Sequence, residues 1–148
     1  MIVSGVLLDN HYSHLAGTIE RIWNELKVGE VLEVLGIRIR TLSDCGLQAD
    51  SDDFSIWQFC QDNHLLLFSD NRSARHGDSL HAAIQENLTA ESLPVLTPSV
   101  RNRLAADHDY LFAVMRSIPG VIADILWDDN FLGIGRLYLP IARYQTMP

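Results

Sequence analysis

A chain of 148 residues is the size of one domain and can bury enough surface to need no disulfide or metal staple. With 47% hydrophobic and 20% charged residues it has the composition of a globular protein. The net charge of −8 argues against a broad basic surface for non-specific nucleic-acid binding, but not against a local basic groove or acids offset by metal ions.

Residues 2–8 are apolar and β-rich, which predicts a buried first strand running into Asp9. Over 11–27, Tyr12, Leu15, Ile19, Ile22, Trp23 and Leu26 recur at helical spacing on one face, and Gly29 can end that helix. Ile37, Ile39 and Thr41 alternate with Arg38 and Arg40, which predicts a strand over 36–42. A loop rich in acids follows, with Gly46 inside it. Ile56, Trp57 and Cys60 predict a helix over 53–63, capped by Ser51 or Asp52.

The run LLLFS, residues 65–69, predicts a second buried strand that meets Asp70 and Asn71. The polar loop RSARHGDS carries Arg72, Arg75 and His76, the most basic spot in the chain. Leu80, Ala83, Ile84 and Leu88 mark a helix. LPVLT is a strand beginning near Pro94, which places it towards a sheet edge. Val100, Leu104, Leu111, Met115 and Ile118 mark one or two helices, kinked or broken at Pro119-Gly120. A last strand over 134–139 ends at Pro140, and residues 141–148 form a tail.

Strands alternating with helices predict an α/β fold with a mainly parallel sheet covered on both faces. Residues 1–140 are read as its single domain. Ligands in such folds bind beyond the carboxyl ends of the strands, where Asp9 and Asp70 fall. Cys45 and Cys60 form no CxxC pair and are read as reduced thiols. No basic segment precedes the first apolar run, and no window of ~18 residues is continuously apolar. Those features predict a cytoplasmic protein without a membrane span. GxGxxG, Walker, GxSxG and HExxH motifs are absent from the sequence. His11 and His14 have i, i+3 spacing, but His14 falls on the polar helix face.

Each acid has a local role open to it. Asp9 or Asn10 can cap the first helix. Asp53 sits in a first turn, where the helix dipole favours a carboxylate. Asp44 precedes Cys45-Gly46 and suits a turn, and Asp70 suits a loop. Together they suggest a different use. Converging carboxylates repel one another, and a hard cation such as Mg²⁺ or Mn²⁺ relieves that repulsion.

The order of these pieces resembles the PIN-like domains, specifically the small branch that includes toxin-type nucleases. The likeness rests on LLDNH, an Asp-x-Gly-Leu loop at Asp44, Gly46 and Leu47, the Asp52-Asp53 helix start with Ile56 and Trp57, and a strand running into SDNR. It covers residues 5–73. The resemblance implies a three-layer α/β/α fold and an acidic cluster that binds Mg²⁺ or Mn²⁺ and cleaves RNA. Carried over by position, Asp9 matches the family's first-strand acid, Asp53 the acid at the helix start and Asp44 the acid of the Asp-x-Gly-Leu loop. On this reading Asp9, Asp53 and Asp70 are the catalytic and metal-binding acids, with Asn71 as a further ligand. Asp44, Arg72 and Arg75 are its substrate-binding residues. The likeness leaves room for an antitoxin-like protein partner and for a homo-oligomer. The chain departs from the family pattern at one point. Where the family places an acid two residues after a hydroxyl residue, here Ser69, this chain has Asn71, and Asp70 stands one place earlier. An extended strand turns those two side chains to opposite faces. The alternative expectation is therefore a PIN-like module that binds without cleaving.

Overall fold

Strand β1 (Gly5–Leu8) lies between β2 (Arg38–Thr41) and β3 (Leu65–Phe68) and pairs with both in parallel. Beyond β3 come β4 (Val95–Pro98) and β5 (Arg136–Leu139), so the sheet order is β2-β1-β3-β4-β5, parallel throughout. This computed structural model describes residues 2–72 and 79–146. The expected strand pattern is present, with helices on both faces of the sheet.

Side-chain alternation along the strands divides the core. Val6, Leu8, Leu66, Phe68 and Leu96 face one helical layer, made by α1 (Ala16–Glu25), α2 (Gly29–Val34) and α5 (His108–Asp128). Leu7, Leu65, Leu67 and Val95 face the other, made by α3 (Asp53–Asp62) and α4 (Leu80–Asn87). Central strands buried on both faces read as continuous apolar runs, which is why GVLL and LLLF stand out in the sequence.

The helices depart from expectation in three places. Asn10–Leu15 is a 3-10 turn, and α1 begins only at Ala16. The Asp9 carboxylate accepts the His11 N–H at 3.0 Å, and the Ser13 hydroxyl donates to the Asn10 carbonyl at 3.1 Å. Such local bonds compete with the α-helical ladder. Second, Gly29–Val34 forms a short helix that buries only Leu32, too few positions to leave a periodic signal.

Third, α5 runs unbroken for 21 residues through Pro119, where a kink or break was expected. A proline there leaves the carbonyl four residues earlier without its helical donor. That carbonyl belongs to Met115, and the buried Trp23 indole N–H of α1 donates to it at 3.0 Å. The vacancy in one helix is filled by a side chain of another. By length and composition α5 could cross a membrane, but half of its apolar window is buried, and Val114, Ile118, Val121 and Ile125 pack in the core.

Strand β4 is interior, not an edge, because β5 pairs outside it. Val95 and Ser99 give their N–H groups to the Gly135 and Leu139 carbonyls. The missing donor of Pro98 therefore falls on the β3 side, where β3 has already ended at Phe68. The stretch expected as a tail packs back on α5: Tyr144 is buried, with its ring against Gly120.

Candidate functional site at the switch point

The chain leaves β1 towards β2 on one side and returns to β3 on the other, so the order reverses between β1 and β3. Such a reversal opens a crevice at the carboxyl ends of the strands. Asp9 follows β1 there and Ser69 follows β3, with the Asp9 N–H still bonded to the Phe68 carbonyl at 3.1 Å.

Alternation then decides where each polar side chain goes. Leu7 and Leu67 face the α3–α4 layer, so Asp9, Ser69 and Asn71, each two residues further on, face it too. Asp53 arrives from α3, placed by an N-terminal cap: the Asp52 carboxylate accepts the Ser55 N–H at 2.7 Å. The Asn71 carboxamide donates to Asp53 Oδ2 at 3.0 Å, and its backbone N–H donates to the Ser69 hydroxyl at 3.1 Å. The Ser69 hydroxyl lies beside the Asp9 carboxylate. Two acids from distant elements are thus joined through Ser69 and Asn71.

Asp70 takes the other face, with Phe68. It stands 2.7 Å from Arg72 Nε and 4.0 Å from Arg101 Nε, and it accepts from the Tyr12 hydroxyl at 3.4 Å. The remaining Arg72 donors go to the Pro98 carbonyl and, at 3.3 Å, to the Ser99 carbonyl, and its guanidinium lies over the Tyr138 ring. Burial, with the charges of Asp70 and Asp9 beside it, pushes the Tyr12 hydroxyl pKa well above its ordinary value. Tyr12 is therefore a hydrogen-bond donor here and not a base.

Asp44 closes a reciprocal turn at the end of β2. It accepts the Thr41 N–H at 2.9 Å, and its own N–H donates to the Thr41 hydroxyl at 3.2 Å. Arg75 lies outside the described residues. Sequence reasoning missed Arg136, whose Nη2 donates to the Asn71 carbonyl at 2.8 Å and whose Nη1 donates to the Thr97 hydroxyl at 2.7 Å. Its only sequence signal is a charge at the start of an otherwise apolar strand. Cys60 is buried and Cys45 half-buried, both as free thiols in the α3–α4 layer.

Burial raises the Asp9 pKa above its ordinary 3.8, against the smaller opposing pull of the Ser69 hydroxyl and the His11 N–H. Folded Asp9 therefore holds its proton more tightly than unfolded Asp9. Its contribution to stability is full below the unfolded value and is lost as pH rises through the folded one. Asp9→Asn removes that loss. In metal-free buffer the variant is expected to melt higher than the wild type at neutral pH, with the gap closing towards about pH 4. Parallel melting curves across that range would show that Asp9 pays no burial penalty.

Among the described residues, no three His, Cys, Asp or Glu side chains gather closely enough to hold a metal ion. The site's own oxygens come from two carboxylates, one carboxamide and one hydroxyl, a hard set that suits Mg²⁺ or Mn²⁺. The Asn71 carboxamide presents its NH₂ to Asp53, and a half-turn of the amide would present oxygen instead. Two cavities, of about 430 and 390 Å³, lie elsewhere, beside Trp23 and Leu32 and beside Gln61 and Leu93. No family model, curated protein or solved structure matches the chain.

Proposed function

We propose that the chain is a PIN-like domain that binds Mg²⁺ or Mn²⁺ at Asp9, Asp53 and Asn71 and hydrolyses RNA phosphodiesters in the cytoplasm. One observation carries this reading: Asp9 and Asp53, 44 positions apart in a chain of 148, are drawn to one crevice and linked through Ser69 and Asn71. A divalent cation held there supplies water activation and neutralises charge on a phosphate. The protein's part is to hold Asp9 and Asp53 as ligands and to orient Asn71 by the Ser69 hydroxyl. Arg101 is exposed beside Asp70 and would supply a cation for an RNA phosphate.

The test is cleavage of RNA by the purified protein with Mn²⁺. Asp9→Asn and Asp53→Asn are each expected to lower the rate by ~100-fold or more, the effect of losing several kcal/mol of charge stabilisation. Cleavage that survives both substitutions would sink the reading.

A second reading, a PIN-like module that binds without cleaving, is favoured by the way the acids are already satisfied. Asp53 receives the Asn71 amide and Asp70 receives Arg72. Melting with Mn²⁺ separates the two. A cation at ~100 times its Kd adds about 2.7 kcal/mol, and no shift at millimolar Mn²⁺ selects the module.

A further inference from the structure

Strand β3 leaves the sheet sooner than its neighbour, pairing with β4 at Phe68 and Leu96. The polar segment that follows is held by other means. The Ser69 N–H bonds the Leu96 carbonyl at 3.0 Å, and the Ser69 carbonyl accepts from the Thr97 hydroxyl at 2.8 Å. The next carbonyl on the same side is that of Asn71, three residues past the end of β3. Arg136 reaches it from β5, and the same guanidinium donates to the Thr97 hydroxyl. Arg136, Thr97, Ser69 and Asn71 form one chain of hydrogen bonds across three strands.

Arg136 is half-buried, and among the described residues no carboxylate lies within ion-pair distance of it. Burial lowers its pKa from the ordinary value, the mark of a desolvated cation. A guanidinium in that setting is costly unless its donors are used. Both terminal nitrogens are used, one on the backbone of the residue whose side chain meets Asp53.

We infer that Arg136 is the positioning residue of the switch-point site: it fixes the Asn71 backbone so that the Asn71 carboxamide meets Asp53. Thr97 aligns the guanidinium and ties it to Ser69. The edge strand β5 thereby reaches the site without touching either acid.

The test uses the full-length ¹⁵N-labelled protein. The Asn71 carboxamide signals are assigned by their loss in Asn71→Asp. In the wild type the amide proton on Asp53 is expected downfield and slow to exchange. In Arg136→Met this signature is lost while the rest of the spectrum stays that of the folded protein. Arg136→Lys, a cation that can still reach one carbonyl, keeps part of it. An unchanged signature in folded Arg136→Met overturns the inference. Should that variant not fold, Thr97→Val and Arg136→Lys carry the test, and an unchanged signature in both overturns it.

A second arm rests on the proposed metal site. Mn²⁺ affinity is expected to fall about tenfold in Arg136→Met and to recover in part in Arg136→Lys. Unchanged Mn²⁺ affinity in a variant that has lost the amide signature overturns the link to metal binding. If the wild type binds no Mn²⁺, the metal reading fails, and the amide signal still decides the role of Arg136.

Discussion

Trp23→Ala is expected to destabilise the protein by about 3–5 kcal/mol in urea unfolding, the cost of emptying a buried aromatic site. Part of that cost is polar and separable. The indole N–H serves the Met115 carbonyl that Pro119 leaves without a helical donor. Trp23→Phe keeps much of the ring but orphans that carbonyl, at a cost of about 1–3 kcal/mol. Pro119→Ala returns an amide to the helix. In that background the polar part of the Trp23→Phe cost should vanish. The double-mutant cycle is then expected to show a coupling of about 1 kcal/mol or more between residues on different helices. Additive costs would mean that the Met115 carbonyl is served in some other way.

The same pair shows why part of the fold was not legible in the sequence. Pro119 reads locally as a break, and the donor to the carbonyl it leaves open comes from Trp23, 96 positions away. Gly5–Leu8 and Leu65–Phe68 were legible because burial on both faces leaves an unbroken apolar run. Asp52 was legible as a cap because the hydrogen bond it makes is local. The turn over Asn10–Leu15 was not, since its apolar spacing also suits a helix and the side-chain bonds that tighten it leave no periodic mark.

The candidate site divides in the same way. Asp9 and Asp53 were legible as acids at a strand end and a helix start. Which of Asp70 and Asn71 faces Asp53 depends on the strand staying extended past Phe68, which the SDNR sequence leaves open. Arg136 acts on Asn71 across 65 positions, and no local pattern in RLYL announces it.

Asn71→Asp is expected to act on the site with opposite signs in the absence and presence of metal. Without metal the change removes the amide donor from Asp53 and sets a like charge beside it. That should cost about 1–3 kcal/mol of stability. With Mn²⁺ the added charge becomes a ligand, and affinity should rise at least ~10-fold, or about 1.4 kcal/mol. RNA cleavage, where present, should rise with it and still fall in the Asp9→Asn background. Asp70→Asn is the matching control, because Asp70 lies on the opposite face with Tyr12 and Arg72. Its loss should weaken the fold through Arg72 and leave Mn²⁺ affinity unchanged. Melting curves and Mn²⁺ titrations of the two variants decide the matter. If Asp70→Asn abolishes Mn²⁺ binding while Asn71→Asp leaves it untouched, the cation sits on the α1–α5 face of β3. Asp53, on the α3–α4 face, could then not be one of its ligands.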